Sequence, residues 1–134
     1  MDFLIKLKAM KEDLEKILAE LKSHPKVVAV YLFGSYVRGE ATPLSDIDVA
    51  VILKDIDPRT EGEIGSLYSD KIDLVLFHRL PIYIQFEVLK EGKELFVADE
   101  EYLKEVRFKV IRDYLEHEWL YRRLKEDILN ETTE

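Results

Sequence analysis

Apolar residues recur at helical spacing at the start of the chain, crowd into three short runs in the middle, and return to helical spacing at the end. Leu4, Leu7, Leu14, Ile17, Leu18 and Leu21 mark one side of a first helix, which Ser23-His24-Pro25 stops. Val27–Phe33, Ile47–Leu53 and Ile72–Phe77 are apolar at nearly every position and contain β-branched residues, the pattern of strands covered on both faces. Between the second and third runs, Thr60 and Glu63 have capping-box spacing ahead of Ile64 and Leu67, and Gly62 and Gly65 keep that helix short. Pro81 fits the first turn of a helix reaching Leu89, and Gly92 fits its end. Leu95–Ala98 predicts a fourth strand at an edge. Asp99 then caps a long terminal helix with Glu100 and Glu101 in its first turn and a stripe at Leu103, Val106, Val110, Tyr114, Tyr121, Leu124 and Ile128. The elements predict an α/β (α+β) fold, a small mixed sheet flanked by helices, as one domain over 1–134 with a core at 26–98 and a helical region at 99–130.

Composition narrows the classes. With 134 residues, 47% of them hydrophobic, the chain can bury a core of its own. It has no cysteine, which removes disulfides, thiol catalysis and thiolate metal sites. The longest apolar run, Val27–Phe33, is too short to span a bilayer, and MDFLIKLKAMKEDLEK mixes charges into a helical pattern unlike a leader. A soluble, cytoplasmic protein is the expectation. The net charge is −8, from 20 Lys and Arg against 28 Asp and Glu, which argues against a long nucleic acid as main substrate. Bound cations can still reverse the field inside one site.

The chemistry concentrates in FGSYVRGEATPLSDIDVAV, Phe33 to Val51. Side chains alternate along a strand, so Asp46 and Asp48 point one way while Ile47 points into the core. Two adjacent carboxylates repel, and a divalent cation between them removes the conflict. Asp73 lies inside the next apolar run, where an unpaired charge is costly. If the two strands are neighbours, all three acids converge as a two-metal phosphoryl-transfer site requires. Gly34 lets the backbone approach a ligand, and Ser35 offers N–H groups and a hydroxyl to a phosphate. Arg38 and Ser45 are further candidate phosphate contacts.

Gly-Ser, ten residues, Asp-Ile-Asp and a further strand aspartate resemble the DNA polymerase β-type nucleotidyltransferases. More narrowly, GSYVRGEATPLSDIDVAV and the later LPIYIQFEVLKEGKELF resemble the minimal nucleotidyltransferases, the MNT antitoxins of HEPN/MNT toxin–antitoxin systems. Val37 stands where that family usually has alanine; all three acids are present. The resemblance covers about residues 26 to 98. It implies a palm-like nucleotidyltransferase fold, ATP as substrate with its phosphates on Gly34 and Ser35, and two magnesium ions (manganese also serving) on Asp46, Asp48 and Asp73. Asp73 would also take the proton from the acceptor hydroxyl. The implied partner is a HEPN-family ribonuclease toxin, inactivated by AMP on a tyrosine, since this chain shows no second domain to hold an acceptor. Two rival readings are an antitoxin that acts by binding alone and a small-molecule transferase of the aminoglycoside type, in which a homodimer supplies the acceptor surface. A polymerase fits the charge least.

Other polar residues have plainer readings. Asp55 and Asp57 beside Pro58 read as turn formers, and Asp70 as a solvated loop residue. His24, His78 and His117 lack metal-ligand spacing. Lys104, Arg107, Lys109, Arg112, Arg122 and Arg123 read as a solvated helix face with Glu105–Lys109 and Glu118–Arg122 pairs. Tyr102, Tyr114, Trp119 and Tyr121 read mostly as core, with any aromatic left over suited to a protein interface.

Overall fold

In the computed structural model the chain alternates helices and strands, with the backbone described over residues 3–42 and 44–132 and side chains over 8–42 and 44–130. The order is α1 (Phe3–Ser23), β1 (Val27–Phe33), α2 (Ser35–Arg38), β2 (Ile47–Leu53), α3 (Pro58–Gly65), β3 (Ile72–Leu76), α4 (Ile82–Glu91), β4 (Lys93–Val97) and α5 (Glu100–Thr132). The four strands form one sheet in the order β3-β2-β1-β4. β1 runs antiparallel to β2 and β4, and β2 runs parallel to β3. The sheet is mixed, as the sequence predicts, and β4 is an edge.

Alternation divides the core into two layers. Val49, Val51 and Leu53 face α1 and α3 with Met10, Leu21 and Ile64. Ala50 and Ile52 face the other way, with Val88 of α4 and Leu103 and Val110 of α5. Asp48 and Asp73 fall on this second face by the same alternation. Leu14, Ile17, Leu18 and Leu21 pack on the first layer as expected; the side chains of Leu4 and Leu7 lie outside the described residues.

Four expectations need correction. The run Ile72–Phe77 packs on both layers, Leu74 and Leu76 on one and Val75 and Phe77 on the other, but β3 is the second edge of the sheet, Asp73 is exposed, and Phe77 leaves the strand for a short 3-10 turn, Phe77–Arg79. The capping box at Thr60 and Glu63 does not form. Asp57 caps α3 instead, accepting the Thr60 N–H at 2.7 Å, and Pro58 occupies the first turn. Among the described residues no Glu105–Lys109 or Glu118–Arg122 ion pair forms, and Arg107 is half-buried against Tyr31 and Glu94. The stripe of α5 is covered only through its first half. Leu103 and Val110 are buried and Tyr114 stacks on Phe86 at 3.9 Å, whereas Tyr121, Leu124 and Ile128 stand exposed because the body ends beneath them. No helix among the described residues is long and apolar enough to cross a membrane.

Candidate active site

Strand pairing assembles the site. Phe33, the last residue of β1, pairs with Asp48, and Asp48 pairs in register with Asp73 on β3. The Gly-Ser turn and two of the acids therefore meet at one end of the sheet, on the α4/α5 side. Asp46 stands just before β2 and is exposed, as is Asp73, while Asp48 is half-buried. Burial pushes the Asp48 carboxyl above its ordinary value; the nearby charges of Asp73 and then Asp46 add to this, and Arg38 opposes them.

Gly34 is fixed by contact. Its φ of 81° lies in the region that side chains other than glycine's avoid, and a Cβ there would lie 2.3 Å from the Asp48 Oδ2 atom. The Gly34 carbonyl accepts the N–H groups of Val37 and Arg38 at 3.1 and 3.2 Å, which closes the single turn α2. The N–H groups of Ser35 and Tyr36, at the mouth of that turn, have no partner within it. Ser35 thus opens a short turn, as the sequence predicts, one residue after the Gly34 that abuts Asp48.

Arg38 and Ser45 are placed differently. Arg38 is ion-paired to Glu40 at 3.2 Å and to Glu87 of α4 at 2.9 Å. The Ser45 hydroxyl accepts the Thr42 N–H at 2.9 Å and meets the Thr42 hydroxyl at 3.2 Å, so it closes its own loop. Two residues with no signal in the sequence border the site. Tyr36 donates to the Ser45 carbonyl at 3.3 Å, tying the loop before the acids to the turn. Burial raises the Tyr36 phenol above its usual range, and the charge of Asp46 adds to it. Glu87 reaches the site only through Arg38.

The donor set is all carboxylate oxygen, which suits a hard divalent cation. Among the described residues no three acidic or histidine groups are already gathered at ligating distance. A cleft of about 490 Å³ lies between α1 and α3 and is lined by His24, Lys26, Asp57, Arg59 and Glu63, which pair with one another; none of the three acids lines it.

Comparison with known proteins gives the family and the fold. The family described as Polymerase beta, Nucleotidyltransferase matches residues 15–101. A Methanocaldococcus jannaschii protein with the provisional name protein adenylyltransferase is 34% identical over 109 residues, 81% of this chain and 84% of that one. A chain of a crystal structure of a toxin–antitoxin with AMP-PNP superposes with a TM-score of 0.65 at 26% identity, covering 88% of this chain and 97% of that one. A chain of a tri-AMPylated Shewanella oneidensis HEPN toxin in complex with MNT antitoxin shares the fold, with a TM-score of 0.61 at 24% identity and coverage of 91% and 98%.

Proposed function

Because the chain belongs to the Polymerase beta nucleotidyltransferase family, we propose that it transfers AMP from ATP to a tyrosine hydroxyl of a HEPN-family toxin and so acts as its antitoxin. Nucleotidyl transfer itself follows from the family and from relatives named as protein adenylyltransferases. The observation that carries the reading is the in-register pair Asp48–Asp73 placed against Gly34. The toxin as partner is supported by the resemblance of residues 34–51 and 80–96 to the MNT antitoxins and by the fold shared with chains of solved toxin–antitoxin complexes.

Asp46, Asp48 and Asp73 are the residues that would hold two magnesium or manganese ions, and such ions neutralise the triphosphate and the charge that builds at phosphorus. The Ser35 and Tyr36 N–H groups and the Ser35 hydroxyl bind phosphate oxygens of ATP. Arg38, released from its carboxylate partners, supplies a further positive charge to the phosphates, while Ser45 keeps the loop before Asp46 in place. Asp73, exposed at the sheet edge, takes the proton of the incoming tyrosine hydroxyl. The tyrosine oxygen forms a bond to the α-phosphorus, the bond from that phosphorus to the bridging oxygen breaks, and pyrophosphate leaves with the electron pair.

Incubating the protein with ATP, magnesium and the cognate HEPN-family protein tests this. The toxin should gain the mass of one or more AMP units on a tyrosine and stay inactive once this chain is removed. A stable complex with no mass gain would instead establish neutralisation by binding alone, and transfer to an aminoglycoside but not to the toxin would establish the small-molecule reading.

A further inference from the structure

We infer that the projecting end of α5 is a docking seam for a helical surface of the acceptor protein and holds that protein beside the catalytic edge; this rests on the protein-acceptor reading above. α5 has 33 residues, about 50 Å of helix. It is fixed to the body through buried Leu103 and Val110, then through Tyr114 and His117, whose rings meet Tyr83 of α4 at 6.0 and 4.8 Å. Past that contact every residue from Trp119 to Ile128 is exposed.

This end does not have the composition of a solvated helix. Tyr121, Leu124 and Ile128 are 56%, 53% and 61% exposed. They follow Tyr114 and His117 at steps of three and four, in line with the stripe that packs on the body. The apolar seam thus leaves the body with its direction unchanged. A short helix without tertiary packing is marginal in water, and a continuous exposed apolar strip marks a contact surface. Steps of three and four match the ridges of a facing helix.

The position of the seam identifies its occupant. Tyr83, 42% exposed, stands at the base of the seam. Four residues along the same face of α4 is Glu87, whose carboxylate holds Arg38. A protein seated on the seam and Tyr83 is one helical turn, about 6 Å along α4, from the pair that borders the acids. Asp48 and Asp73 lie on that same side of the sheet. The flanks of the seam carry both signs, Asp113, Glu116 and Asp127 on one side and Arg122 and Lys125 on the other. A partner with an apolar helical ridge bordered by charges of both signs meets the seam and its place beside the acids.

The test is the double variant Leu124→Glu, Ile128→Glu, with Phe108→Ser on the outward side of α5 as control; all three positions are exposed, so the fold is not challenged. Calorimetry measures affinity for the cognate HEPN-family protein, thermal shift measures magnesium–ATP binding, and light scattering measures the mass of the free chain. The double variant should raise the Kd for the toxin by about tenfold or more and slow AMP transfer at limiting toxin. It should leave the magnesium–ATP shift and the mass of the free chain unchanged, and Phe108→Ser should change none of these. Unaltered toxin affinity in the double variant would overturn the seam while leaving the protein-acceptor reading intact. A dimer of the free chain that the double variant dissociates would overturn it too, in favour of a second copy. If the unmodified chain neither bound nor modified the toxin, the underlying reading and the seam would fall together.

Discussion

The Asp48 carboxylate is half-buried, in register with Asp73 and within the field of Asp46, so its ionisation is opposed by desolvation and then by two like charges. A carboxyl raised in the folded chain favours the fold while it is protonated, and that contribution is lost as pH rises through the raised value. Removing the charge should therefore help the metal-free chain. Asp48→Asn is expected to raise its melting temperature at pH 7 by about 1–3 °C, a small effect because solvent screens a half-exposed group. The gain should shrink as pH falls toward the ordinary carboxylate range, and the variant should lose the thermal shift given by magnesium and ATP. A lowered melting temperature would mean that the fold needs this charge. Gly34→Ala acts on the same contact from the other side. With φ at 81° and Asp48 Oδ2 at 2.3 Å from the added carbon, it should cost about 1–3 kcal/mol in urea unfolding and abolish transfer. The roles of the remaining residues separate by assay. Asp73→Asn should lose transfer while keeping much of its ATP binding, whereas Ser35→Ala should weaken ATP binding with a milder loss of rate. Equal losses of both properties in the two variants would dissolve the distinction between proton acceptor and phosphate cradle.

At the scale of elements, α5 is held to the sheet by a polar contact at the margin of an apolar layer. Tyr31 of β1 is 1% exposed, donates to Glu94 at 3.0 Å and receives Arg107 of α5 at 3.1 Å; Arg107 also pairs with Glu94. Tyr31→Phe leaves Arg107 short of one partner and should cost about 1 kcal/mol in urea unfolding, with ATP binding unchanged; no loss would make the contact ornamental. Arg107 reads as solvated because its partner Tyr31 is 76 residues away, and helical periodicity cannot see it. Strands β1 and β2 are legible because two-sided burial writes a continuous apolar run, but that run cannot show that β3 has a neighbour on one side only. Thr60 and Glu63 imitate a capping box, yet Asp57 with Pro58 starts the helix three residues earlier, since the proline fixes the first turn. In the site, Gly34, Ser35, Asp46 and Asp48 are legible because their spacing is local. Asp73 is legible as a costly charge in an apolar run. Glu87 and Tyr36 are not, because each enters through a side-chain contact made only in the folded chain. On α5 the stripe gives the apolar face, and says nothing of where the body beneath it ends.

For the whole molecule, the question under the proposed function is whether neutralisation of a toxin depends on the acids or only on the surface that carries them. Three carboxylates at one end of the sheet make the metal-free site self-repelling, so magnesium with ATP should raise the melting temperature, and chelation should reverse the rise. The docking seam lies on α5, on side chains that no acid touches, so the two functions can be separated by substitution. Asp46→Asn with Asp48→Asn keeps side-chain volume, removes two of the charges that would hold cations, and leaves Tyr121, Leu124 and Ile128 exposed as before. This double variant should fold at least as stably as the parent, bind the cognate HEPN-family protein with unchanged affinity, and transfer no AMP. Its effect in cells then depends on mechanism alone. An antitoxin that works by occupancy loses nothing, because the complex still forms. An antitoxin that works by adenylylation fails, because toxin that dissociates is unmodified and active. Cells expressing the toxin with the double variant, at abundance matched to the parent by immunoblot, should stop growing. Rescue equal to the parent's would place neutralisation in the contact itself and reduce the acids to a dispensable part of the fold.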